Sequence, residues 1–177
     1  FICKEFDVTA FNKIEELLKK CDAVSIATPT IYHYEVAKKA MELGCHVFIE
    51  KPITHTLEEA ESLLHQAEEL NKFIQVGHIE QFNPALTAIN FDDVNPMFIE
   101  VHRLSPFPGR GIDVPVVLDL MIHDIGVVLS LVHSEVKDIK AFGQSIVSDT
   151  TDLANARIEF ENGCVVNLTT SRVSLKK

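Results

Sequence analysis

The stretch His46-Val47-Phe48-Ile49-Glu50-Lys51-Pro52 decides how the first part of this chain is read. A short apolar run that ends in two charged residues and a proline predicts a buried strand leaving its sheet at Lys51. Pro52 fixes the backbone there and removes a donor, which holds the lysine in place. Working outward, Tyr34 to Leu43 predicts a helix with Val36, Ala40 and Leu43 on one side, and Gly44 is its natural stop. Ala23 to Ala27 predicts an earlier buried strand, ended by Thr28-Pro29-Thr30, and Ile14 to Lys20 has a helical period. Downstream, Thr56 and Glu59 form a capping box for a helix with Leu57, Ala60, Leu64 and Ala67 as its inner stripe. Phe73 to Val76 predicts a third strand. Strand, helix, strand, helix, strand with short connections implies a parallel sheet with right-handed crossovers.

After Pro84 the pattern changes. Met97 to Leu104 predicts a longer strand with Met97, Ile99, Val101 and Arg103 sharing a face, and residues 105–111, Ser-Pro-Phe-Pro-Gly-Arg-Gly, form a loop. Val114 to Val132 predicts one long apolar helix. Beyond Val136 strands dominate, and Glu161-Asn162-Gly163 turns a hairpin between Asn155–Phe160 and Val165–Ser171. A parallel α/β part, residues 1–80, is therefore expected to precede a mixed α+β part, residues 81–177, with an open, mainly antiparallel sheet.

The composition excludes several functions. The chain has 177 residues, 46% of them apolar and 24% charged, and a net charge of −10. That charge would be repelled by a phosphate backbone, so no nucleic-acid partner is expected. No apolar run approaches the roughly 20 residues of a membrane span. Cys3, Cys21, Cys45 and Cys164 show no paired spacing and read as the reduced thiols of a cytoplasmic protein, with Cys45 and Cys164 in packing positions.

The chemistry-bearing pattern is Asp119-Leu-Met-Ile-His123-Asp124. Asp119 and His123 lie four residues apart, on one face of a helix. An imidazole, with an ordinary pKa of roughly 6.5, exchanges protons near neutral pH. Together with a lysine in one cleft, such groups can take a proton from a sugar hydroxyl. The bland alternatives are a solvated strand-end lysine and a satisfied buried His–Asp pair. A metal reading of Asp119, His123 and Asp124 is the weakest of the three, and no metal is expected.

Taken together, residues 23–30 (Ala-Val-Ser-Ile-Ala-Thr-Pro-Thr) with His33, Glu50-Lys51-Pro52, Gly77-His78 leading to Phe82-Asn83-Pro84, and the Asp119/His123/Asp124 run resemble the glucose-fructose oxidoreductase / inositol dehydrogenase (Gfo/Idh/MocA) family. The resemblance covers nearly the whole chain, in the family's order. It implies the carboxyl-terminal part of an NAD- or NADP-binding Rossmann domain, followed by a substrate-binding and oligomerisation domain. The run from Arg103 through Asp124 is most similar to members acting at C3 of UDP-N-acetylglucosamine.

Two departures stand out. The family's glycine-rich fingerprint is absent, so the chain reads as the middle of a longer enzyme, cut at both ends. Gln81 stands where relatives often carry arginine.

The implied roles follow the motifs. Lys51, Asp119 and His123 would be catalytic, with His123 as general base and Lys51 touching nicotinamide ribose and substrate. Thr28, Pro29, His33, Glu50 and Pro52 would join Lys51 in lining the cofactor track. Asp124 and Asn83 would contact substrate, with His78 beside them, and Arg103 and Arg110 would neutralise a substrate diphosphate. The expected assembly is a homodimer or homotetramer. Two other classes remain open: an NAD-dependent glycosidase of the same family, and a non-catalytic ligand-binding relative.

Overall fold

In a computed structural model, which describes residues 5–107 and 114–175, the chain divides into two units, Phe1–Gly77 and His78–Lys177. The first unit contains a short helix α1 (Ile14–Leu18), followed by β1 (Ala23–Ile26), α2 (His33–Glu42), β2 (His46–Ile49), α3 (Leu57–Glu69) and β3 (Ile74–Val76). The strands form a parallel sheet in the order β1-β2-β3, with Ile26 opposite Ile49 and Ile49 opposite Val76. Its core joins Ile26, Val47 and Ile49 to Ala37, Ala40 and Met41 of α2 and Leu63 and Ala67 of α3. Each large aliphatic side chain buried here contributes roughly 1.5–3 kcal/mol.

Local signals set the helix ends. Thr56 Oγ1 accepts from the Glu59 N–H, and the Glu59 carboxylate accepts from the Thr56 N–H, so the capping box is complete. Helix α2 ends at Gly44, whose φ of +94° is costly for any residue with a Cβ. There the Cys45 N–H reaches back to Ala40 O at 3.0 Å.

The faces differ from expectation in three places. In α2 the buried residues are His33, Ala37, Ala40 and Met41, while Leu43 is exposed. In α3 they are Leu63 and Ala67, and the expected Leu57 and Leu64 stand in solvent. In β1 only Ile26 is buried, and Ala23 and Ser25 are exposed, so the strand is covered on one side rather than both. In the two helices the packing partner selects which of two adjacent stripes is used, whereas β1 carries a core on one side alone.

The second unit begins with a 3-10 turn (Ile79–Phe82) and a short helix α4 (Pro84–Thr87), then β4 (Phe98–Leu104). The expected long helix is two pieces, a π-helical turn (Val117–Met121) and α5 (Ile122–Leu131). Strands β5 (Val136–Gln144), β6 (Leu153–Phe160) and β7 (Val165–Ser171) complete a sheet of order β4-β7-β6-β5. β5–β6 and β6–β7 are antiparallel, and β4–β7 is parallel. One face of β6 and β7 (Ala154, Ala156, Ile158, Phe160, Val166, Leu168) packs on Val116, Met121, Val128 and Val132. Every residue of β5 is exposed, Ile139 and Phe142 among them. Among the described residues, no helix is long and apolar enough to cross a membrane.

Candidate active site

Parallel strands gather their carboxyl ends on one edge, and in open α/β sheets that edge receives ligands. β1 delivers Thr28 and Pro29 there, both exposed, and β2 delivers Glu50 and Lys51, both half-buried. Pro52 follows, buried, after a cis peptide bond. Backbone pairing stops at this edge, with the Glu50 N–H donating to Ile26 O (2.9 Å) and the Gly77 N–H to Ile49 O (2.8 Å). Gly77 leaves space for the Glu50 side chain: a Cβ there would lie 3.1 Å from Glu50 Oε2 and 3.3 Å from its Cδ and from Phe48 Cζ.

His33 behaves differently from its neighbours. It is 1% exposed, with Nδ1 2.9 Å from Pro52 O and Nε2 2.9 Å from Thr28 O. Both ring nitrogens thus face backbone carbonyls.

In the second unit the π-helical turn carries Asp119, and the first turn of α5 carries His123 and Asp124. Asp119 and His123 are half-buried, whereas Asp124 is buried. Asp124 is held by Arg103 of β4, whose Nε and Nη2 donate to its two carboxylate oxygens at 2.9 and 2.7 Å. This carboxylate pushes the guanidinium pKa above its usual value. Arg103 and Asp124, both expected to meet substrate, therefore meet each other. Asn83 caps α4 by accepting from the Ala85 N–H, and its amide donates to Glu80 Oε2. Gln81 Nε2 comes within 3.7 Å of the position a Cβ on Gly126 would take, placing that side chain against α5. His78 Nδ1 is buried and has no hydrogen-bond partner among the described residues. Arg110 lies outside the described residues. Cys45 and Cys164 are fully buried, and burial pushes both thiols up, away from nucleophilic use.

One polar cluster has no counterpart in the sequence reading. Asp152 and Arg172, both fully buried, form an ion pair at 2.8 Å. Asp152 Oδ2 accepts from the N–H groups of Ile146, Val147 and Ser148, and Arg172 Nη1 donates to Val114 O. The Val116 N–H donates to Thr151 O, so the cluster anchors the chain just ahead of the turn that carries Asp119. The run Ser148-Asp149-Thr150-Thr151-Asp152 was the available signal, since such residues bond nearby backbone.

The edge of the first unit fits a dinucleotide in its chemistry. Thr28 supplies an exposed hydroxyl, and Glu50 and Lys51 supply half-buried carboxylate and ammonium groups, at strand ends beside a glycine that keeps room for one of them. Residues 1–78 match the model of an oxidoreductase family with an NAD-binding Rossmann fold, and residues 91–177 match the GFO/IDH/MocA C-terminal domain. The chain belongs to the Gfo/Idh/MocA family. It is 40% identical over 173 residues to a UDP-N-acetylglucosamine 3-dehydrogenase of Acidithiobacillus ferrooxidans, covering 97% of this chain and 55% of that protein. A crystal form of that enzyme superposes with a TM-score of 0.91 over 99% of this chain and 58% of the other. A scyllo-inositol 2-dehydrogenase (NAD(+)) of Bacillus subtilis is 28% identical over 86% of this chain and 49% of its own length. The chain thus spans about half the length of these curated relatives.

Proposed function

We propose that the full protein is an NAD(P)-dependent oxidoreductase acting on a hydroxyl-bearing carbon of a sugar or nucleotide sugar, with C3 of UDP-N-acetylglucosamine as its reacting position. The observation that carries this reading is the edge built by Thr28, Glu50 and Lys51 in a chain that is 40% identical to an enzyme of that activity. Bound at that edge, NAD or NADP supplies the hydride acceptor. Lys51 holds the nicotinamide ribose and the substrate hydroxyl. His123 takes the hydroxyl proton, and Asp119, earlier on the same helical segment, orients the imidazole or binds the hydroxyl. Thr28, Pro29 and Glu50 line the cofactor. Asn83 and His78 stand near the substrate.

The Arg103–Asp124 pair fixes the turn that bears His123. Two of the five guanidinium N–H groups serve Asp124, and the others are available, with Arg110, to a diphosphate. We place the protein in the cytoplasm. We read it as a homodimer or homotetramer joined through the open sheet, where the exposed Ile139 and Phe142 of β5 supply apolar area.

The test uses the full-length gene product with NAD and, separately, NADP. Absorbance of the reduced nicotinamide is followed against UDP-N-acetylglucosamine, free hexoses and inositols. A rise with UDP-N-acetylglucosamine is expected. Cofactor binding without a rise on any substrate would overturn the dehydrogenase reading, in favour of a glycosidase that recycles its cofactor or a ligand-binding relative.

A further inference from the structure

The last backbone bond between β1 and β2 is the one from the Glu50 N–H to Ile26 O. Two residues beyond each end of that bond, the carbonyls of Thr28 and Pro52 lie 2.9 Å from opposite nitrogens of one imidazole, His33. His33 is the first residue of α2 and is 1% exposed. We propose that His33 is a positioning residue: a side-chain rung that extends the β1–β2 ladder past its last backbone bond and fixes where Lys51 stands.

Backbone chemistry makes the rung necessary. Pro52 has no N–H, so the segment after β2 has one donor fewer with which to tie itself to the neighbouring strand. Its carbonyl nonetheless needs a partner once buried. Thr28, on the other side, sits in a turn held by a proline that also lacks a donor. Each ring nitrogen faces one of the two carbonyls; a neutral imidazole carries one N–H, so it is as an imidazolium that the one rigid ring donates to both. Lys51 is bonded directly to Pro52, so the Pro52 arm governs its backbone, and the Thr28 arm governs the opposite wall. A ring occupied in this way acts through Lys51 rather than on the cofactor. The consequence for turnover rests on the site proposed above; the clamp itself does not.

The two arms can be separated. Asparagine places its amide nitrogen near the position of Nδ1, and glutamine near that of Nε2. His33→Asn therefore retains the Pro52 arm, and His33→Gln retains the Thr28 arm. In the full-length protein, backbone hydrogen exchange over residues 50–54 should quicken by about tenfold in His33→Gln, with residues 27–31 near wild type. His33→Asn should show the reverse. With substrate, kcat should fall by about tenfold in His33→Gln and by less than about threefold in His33→Asn, at similar KM for the cofactor.

Equal acceleration of exchange across the whole sheet in both variants would mean general destabilisation and would overturn the assignment. So would unchanged exchange with cofactor affinity lost equally in both, the pattern of a direct contact. If the arm-specific exchange pattern appears in a protein that oxidises no sugar, the clamp stands and the dehydrogenase reading alone fails.

Discussion

Arg103, on an edge strand, grips both carboxylate oxygens of Asp124, the residue that follows the proposed base. Two parallel N–H donations to one carboxylate fix orientation as well as distance, which a lysine could not do. The turn bearing His123 is thereby tied to the sheet from one side.

Breaking that pair should cost stability and not merely charge. Asp124 is buried and Arg103 is about one-third exposed, so Asp124→Asn and Arg103→Met are each expected to destabilise by about 1–3 kcal/mol. A double-mutant cycle on urea midpoints should return a coupling above about 1 kcal/mol. Simple additivity would mean that the pair is decorative.

Replacement of the proposed base gives the plainest test of the chemistry. His123→Asn is expected to lower kcat by roughly 10²–10⁴-fold while leaving the thermal midpoint within a few degrees of wild type. Lys51→Met should impair turnover as well. Normal kcat in either variant removes that residue from the site.

Gly77→Ala probes the room beside Glu50. The added methyl would press on the carboxylate and the Phe48 ring at 3.1–3.3 Å, so Glu50 must move by a few tenths of an ångström. The expected result is a loss of about fivefold in cofactor affinity by fluorescence titration, equivalent to about 1 kcal/mol. Unaltered affinity would show that Glu50 does not face the cofactor.

Asp152 sets an acid limit. Burial by itself pushes its carboxyl up, but the Ser148 and Val147 N–H groups, the Ser148 hydroxyl and the Ile146 N–H together outweigh burial and hold it far below the usual carboxylate range. A carboxyl whose folded-state pKa is depressed adds stability above its unfolded value of roughly 3.9, and that stability drains away as pH falls toward the folded-state value. Wild-type stability should therefore decline steadily below about pH 4, and Asp152→Asn should show a slope shallower by about one proton. Denaturant midpoints at about pH 6, 4 and 3 decide it, because parallel curves for the two proteins would discount the carboxylate.

What was legible in the sequence was what residues say about their neighbours. Thr56 and Glu59 announced their cap because the whole motif spans one turn, and Gly44 announced its stop because only glycine tolerates that φ. The strands β1 to β4, β6 and β7 and the parallel-then-mainly-antiparallel order followed from runs and turns in the same way, whereas β5 had no bounds of its own and the parallel β4–β7 pairing was not foreseen.

Which stripe of α3 is buried did not follow, because Leu57/Leu64 and Leu63/Ala67 are both plausible helical faces until a sheet selects one. The π-helical turn at Val117–Met121 leaves no trace in an apolar run that looks helical at either period. The site residues were named by motif, but their partners were hidden. His33 meets two carbonyls, which carry no residue identity, and Arg103 meets an aspartate 21 residues away.

The parallel pairing of β4 with β7 also bears on how this chain is made. Phe98 is opposite Val165, so the edge strand of the second sheet must wait for residues synthesised 67 positions later. The β5–β6 and β6–β7 hairpins are local by comparison and close at little entropic cost. During vectorial synthesis β4 emerges first and docks last. Pulse-labelled refolding of the full-length protein should therefore protect the amides of β6 before those of β4, and a nascent chain halted before Val165 would leave Arg103 without its final seat.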